Sequence, residues 1–222
     1  MGATLDGLNY AWWFCDLPGY RPHPSGSPRT YSPFDYNELP AIEQTLDDQL
    51  AWLAEQPVAE QHSIAEAVRP MRAATSANLV ELISGTGITV PHTFEALITG
   101  VDLQRRVRSR TDCYLDLGNF VFTAPDGGKL IHFLSDSQWV LHWLVYSDGA
   151  TEAVIATPQP LGFDLGDQTA RVFDPEQAVI CACSFSEFLY RFWFENELCW
   201  ALAAEHGPLT VEQQRYLAHY NR

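Results

Sequence analysis

The chain has 222 residues, 28 of them acidic and 13 basic, for a formal net charge of -15. A hydrophobic share of 46% and an aromatic share of 13% argue against disorder and allow one sizeable core without disulfides or metals. The acidic balance argues against nucleic acid as a direct ligand, because phosphate binding needs clustered lysine and arginine; it suits a basic partner.

Residues 1–38 read as an irregular arm. Tyr10, Trp12, Trp13 and Phe14 precede a stretch with proline at 18, 22, 24, 28 and 33, which opposes regular structure. The aromatics need burial or a partner. Residues 39–222 read as a single α+β domain. Residues 40–55 have the spacing of an amphipathic helix, with Ile42, Leu46, Leu50 and Leu53 on one stripe. Residues 61–68 fit a second helix ended before Pro70. Residues 79–83 are a short apolar run that helix and strand share, and residues 90–98 suit a short helix.

From 112 to 183 the pattern turns to strands. Residues 119–123 and 129–134 flank Pro125-Asp126-Gly127-Gly128, a hairpin signal. Residues 138–146 and 152–157 flank Ser147-Asp148-Gly149, a second hairpin. Both faces of 138–146 are mostly apolar, so this strand is expected in the middle of the sheet, covered on both sides, with Trp139 and Trp143 in the core. Residues 179–183 form a last short strand. Ser184-Phe185-Ser186-Glu187 is a capping box, and a helix is expected from 185 to about 206, stopped by Gly207 and Pro208. Thr210 and Gln213 repeat that logic for a short terminal helix.

Chemical motifs are sparse. Five cysteines, at 15, 113, 181, 183 and 199, form no C-x-x-C pair, so reduced thiols in a cytoplasmic setting are expected. Residues 1–6 show no leader pattern, and no apolar run is long enough for a membrane span. Arg105, Arg106, Arg108 and Arg110 read as a solvated patch. His132 and His142 fall on neighbouring strands. With Asp136 they would make a metal or acid–base cluster, and Cys113, Cys181 or Cys183 with His132 would make a nucleophilic pair. Ordinary buried histidines and thiols account for the same residues, so no catalytic, metal or cofactor site is assigned.

Four stretches resemble the SUKH superfamily of bacterial immunity proteins and cell-wall synthesis regulators. These are Val90-Pro91-His92-Thr93-Phe94; residues 133–138 with 142–146; the Ser147-Asp148-Gly149 turn with residues 152–154; and residues 183–189. The resemblance covers residues 80 to 205. It implies a mainly antiparallel sheet with flanking helices, action by binding other proteins, and no shared catalytic residues. The function it implies is that of an immunity protein neutralising a toxin domain. A regulatory or scaffold protein of the same fold is the alternative, and a hydrolase built on the His/Asp or Cys/His residues a further one. The expected partner is a basic toxin domain, with neither nucleic acid nor membrane contacted directly. The expected contact residues are the arm aromatics Trp12 and Trp13 and the acidic side chains Asp136, Asp148, Glu152, Asp164 and Asp167.

Overall fold

A computed structural model describes residues 5, 7–22, 30–47, 49–66, 70–159, 173–203 and 208–221. The fold is α+β. The eight described strands are β1 (Asn9–Phe14), β2 (Ser32–Asp35), β3 (Tyr114–Leu115), β4 (Val121–Thr123), β5 (Lys129–Ser135), β6 (His142–Ser147), β7 (Glu152–Thr157) and β8 (Val179–Ala182). They lie in one sheet in the order β2-β1-β8-β7-β6-β5-β3, with β4 also paired to β5. Neighbours are antiparallel except β1 and β8, which run parallel through Asn9↔Val179 and Tyr10↔Ile180.

Both predicted hairpins form. Gly128 at the β4–β5 turn has no room for a side chain, because a Cβ there would lie 2.2 Å from the Tyr146 ring. Strand β6 sits centrally, and all six of its residues are buried. Trp143 and Val145 join the larger core, while Leu144 and Tyr146 join a smaller one on the other sheet face with Phe122, Leu130, Ile155 and Phe173. The strand is shorter than residues 138–146 suggest. Residues 137–140 make a turn instead, closed by Asp136 N–H donating to the Leu141 carbonyl at 3.0 Å.

The larger core lies between the sheet and the helices α3 (His92–Thr99) and α5 (Phe185–Leu202). Ser184 caps α5, accepting from the Glu187 N–H at 3.1 Å. The Glu187 carboxylate reaches back to the Cys183 N–H at 3.2 Å, one residue before the one a capping box uses. Phe185, Phe188 and Phe192 carry α5 onto the sheet, where Phe188 packs against Trp12, Phe133 and Trp143. Thr210 and Gln213 complete the box of α6 (Val211–Ala218).

Three expectations are corrected. The arm is not irregular: β1 and β2 extend the sheet, which therefore runs across the boundary expected at residue 38. Of the described prolines, Pro18 and Pro22 follow β1 and Pro33 sits on β2, an edge strand, where N–H groups facing away from the neighbour make no ladder bond. The described residues of 40–55 hold one helical turn, α1 (Ala51–Ala54). Leu50, just before it, is left-handed (φ 56°), so the predicted stripe is interrupted there. Of residues 61–68, the described part to 66 is extended and turned, pinned by Ile64 N–H to the Val107 carbonyl and by Leu115 N–H to the Ile64 carbonyl. The short run at 79–83 is helical, within α2 (Ser76–Ile83). Gly207 lies outside the described residues. Among those described, no helix is long and apolar enough to cross a membrane.

Candidate functional site

Two of the expected contact residues, Trp12 and Asp136, are buried in the fold. Trp12 is fully buried and donates from its indole to Glu195 at 2.8 Å. It cannot serve as an exposed anchor, because its ring and its polar atom are both committed to the core. Trp13, on the opposite face of β1, is partly buried against the same core. Asp136 is also buried; it accepts from the Tyr31 hydroxyl at 2.7 Å and from the Gln138 N–H at 2.9 Å. Asp148 is exposed and serves its own turn, accepting from the Ala150 and Thr151 N–H groups, which hold its carboxyl below the usual range. Glu152 accepts from the Phe185 N–H at the start of α5. Asp164 and Asp167 lie outside the described residues.

His132 and His142 do meet, across β5 and β6, with ring centroids 5.4 Å apart. The Ser135 hydroxyl bridges them at 2.9 Å and 3.1 Å. Both rings are fully buried, and burial lowers the basicity of His132 to about 3 and of His142 to about 4. Asp136 is turned to Tyr31 and leaves the pair without a third ligand. Among the described residues no group of three His, Cys, Asp or Glu side chains is placed to hold a metal. The buried thiols Cys113 and Cys181 are not activated either. Cys113 contacts Tyr31 and Thr111, and burial pushes its thiol up to about 11; burial pushes Cys181 up to about 12. Thiols so protonated at neutral pH are poor nucleophiles.

A different place stands out. A cleft of about 650 Å³ opens between the residue 61–66 segment, the turn at 109–113 and the turn at 137–140. Its walls include His62, Glu66, Asp112, Tyr114 and Trp139, with Cys113 at its base. Four non-glycine residues have positive φ in the described chain, and three of them line this cleft: His62 at 60°, Asp112 at 54° and Trp139 at 60°. Left-handed backbone is tolerable for Asp but costs about 1–2 kcal/mol for a bulky side chain, so it persists only where the surroundings impose it.

Those surroundings can be named. The Ser109 N–H donates to the His62 carbonyl at 2.8 Å and fixes that backbone. The Ser109 hydroxyl accepts from the Cys113 N–H at 3.0 Å and folds the turn that carries Asp112. His62 Nδ1 then meets Asp112 Oδ1 at 2.8 Å, with both side chains largely in solvent. Trp139 is 40% exposed, and its N–H donates to the Asp136 carbonyl at 3.0 Å. Its indole donates to the Tyr114 hydroxyl at 2.6 Å and its ring lies edge-on to His142. The large aromatic is thus held still at the rim rather than buried in the core, as its place in an apolar run suggested.

The cleft continues past His62 into a wider groove lined by Trp193, Trp200 and Arg108. Arg108 forms a two-pronged pair with Glu197, both bonds at 2.6 Å, and Arg110 lies over the Trp200 ring at 4.6 Å. Within the arginine patch, Arg105 and Arg110 are exposed as expected, while Arg108 is held by Glu197 and Arg110 rests on Trp200.

Sequence reasoning missed the cleft because its walls come from three segments far apart in the chain. The only local sign was Asp136-Ser137, turn formers inside an otherwise apolar run. No protein-family model, curated protein or solved structure matches the chain.

Proposed function

We propose that the chain is a non-catalytic protein-binding module of the SUKH type, acting as an immunity protein that neutralises a basic toxin by binding it. The observation that carries this reading is the cleft at Trp139: a half-exposed, rigidly held aromatic beside carboxylates, on a chain of net charge -15. Rigid aromatics are the favoured anchors of protein interfaces, and surface charge speeds the encounter of opposite partners. The stretches that carry the family resemblance support it further, folding as the α3 start, the β5–β6–β7 meander and the capped helix α5. The buried histidines and thiols, tuned away from neutral-pH reactivity, favour binding over turnover.

The test is co-expression with the product of the neighbouring gene, read as host growth, together with a pull-down at low and high salt. Growth rescue and a basic partner released by salt are the expected results. A partner that is harmless alone would make the chain a scaffold; no partner at low salt would overturn binding altogether.

A further inference from the structure

We infer that the cleft between His62, Asp112 and Trp139 is the seat of a single cationic side chain, an arginine or lysine of the partner protein. The inference rests on the binding reading above and adds the chemistry of the contact. Asp112 and Glu66 are exposed carboxylates on its wall, and among the described residues no lysine or arginine lines it. Trp139 and Tyr114 supply aromatic surface, joined by the indole-to-hydroxyl bond of 2.6 Å that fixes their relative position. A cation over an indole face, with a carboxylate within reach, is held by two forces that reinforce one another. The cleft is large for one side chain, so part of the neighbouring backbone enters with it. The adjoining groove differs in kind: it mixes Arg106 and Arg108 with Glu60, Glu197 and Glu212, and Arg108 already holds Glu197, whereas Glu66 and Asp112 meet no lysine or arginine on the lining of the cleft.

The geometry also selects the partner's approach. Asp112 is already paired with His62 at 2.8 Å. An incoming cation competes with the imidazole for that carboxylate. On its own turn Asp112 has Arg110 as a charged neighbour, which lies over the Trp200 ring at 4.6 Å, and His62 and Glu66 come from the facing segment.

The probe is octa-arginine, with octa-citrulline as its uncharged isostere, followed by tryptophan fluorescence and by the indole N–H resonance of Trp139. Octa-arginine is expected to bind and to shift that resonance; octa-citrulline is expected to do neither. Three variants then separate a seat from a merely acidic surface. Trp139→Gly changes no charge and suits φ 60°; it should weaken binding about tenfold. Asp112→Asn keeps a residue at ease in left-handed backbone; it should weaken binding about threefold. Glu176→Gln removes the same charge from the exposed turn before β8 and should leave binding within about 1.5-fold, the small effect of one distant screened charge. Equal weakening by Asp112→Asn and Glu176→Gln, with none from Trp139→Gly, would overturn the seat while leaving protein binding intact. Failure of octa-arginine to bind would overturn the cationic class. The pull-down repeated with Trp139→Gly keeps the two readings apart. A partner retained by that variant sinks the cleft alone; no partner on the parent chain sinks the function.

Discussion

Arg21–Glu195 and His62–Asp112 are both acid–base pairs that tie distant parts of the chain, and they are built in opposite ways. Arg21 grips Glu195 with both nitrogens at 2.6 Å, 6% and 0% exposed. Trp12 and Tyr216 donate to the same carboxylate, Tyr220 and the Cys15 carbonyl accept from the guanidinium, and Phe34 lies 4.2 Å beneath it. Burial would raise the Glu195 carboxyl, yet the Arg21 charge and the donated bonds hold it below its ordinary value. His62–Asp112 has one bond, open solvent and left-handed backbone on both sides. The first pair spends its polar atoms on the chain itself. The second leaves them facing outward, on left-handed backbone held in place by the bonds of Ser109. That contrast is what separates a structural clamp from a candidate contact site.

The contrast can be broken at several points. The largest effect belongs to Arg21→Met, which leaves a carboxylate buried without its cation and should cost about 3–5 kcal/mol in urea unfolding. Adding Glu195→Gln should recover part of that loss, because an amide still accepts from Trp12 and Tyr216. A cost below about 1 kcal/mol would remove the clamp reading.

Next comes acidity. His132 and His142 hold folded-state values of about 3 and about 4 against 6.5 when unfolded, through burial. Their contribution is complete above pH 6.5 and is lost as pH falls toward those values. The slope reaches about 1.4 kcal/mol per pH unit for each histidine. Melting at pH 7.5 and 5.0 should show the drop, and His132→Gln should flatten it. A melting temperature indifferent to this range would mean that the pair opens to water.

Trp139→Gly sharpens the other side of the comparison. It trades one hydrogen bond and some ring contact for relief of a strained φ. Stability should stay within about 1 kcal/mol of the parent by thermal melting, unusual for the loss of a tryptophan. The smallest effect is expected of His62→Ala, below about 1 kcal/mol, as for other exposed ion pairs. A loss beyond about 2 kcal/mol would place His62–Asp112 among the structural clamps.

The sheet meander, its central strand and the capped helix α5 were legible because each rests on local rules: alternation, turn dipeptides, and Ser184 with Glu187. The arm was misread because proline counts as a breaker only where an N–H is needed, and an edge strand does not need every one. The helix expected at 40–55 failed because packing around left-handed Leu50 outweighs a weak amphipathic stripe. The meeting of His132 and His142 followed from neighbouring strands, but the direction of Asp136 depends on Tyr31, whose arrival no local pattern announces. Trp139 was assigned to the core for its hydrophobicity. Its exposure follows from the turn that Asp136 initiates six residues before the strand resumes at His142.

The parallel pairing of β1 with β8 bears on how the molecule is made. Trp12 and Glu195 stand 183 residues apart in sequence yet share a hydrogen bond. During synthesis β1 leaves the ribosome long before β8 and α5 exist, so its buried face, Trp12 and Phe14, has no native cover until the chain is nearly finished. Contacts this remote close late and slowly. Growing chains therefore pass through a stage with a sticky N-terminal ribbon. Chaperone occupancy and aggregation in the cell should respond most to changes in residues 9–14, well before any change in the finished fold is felt.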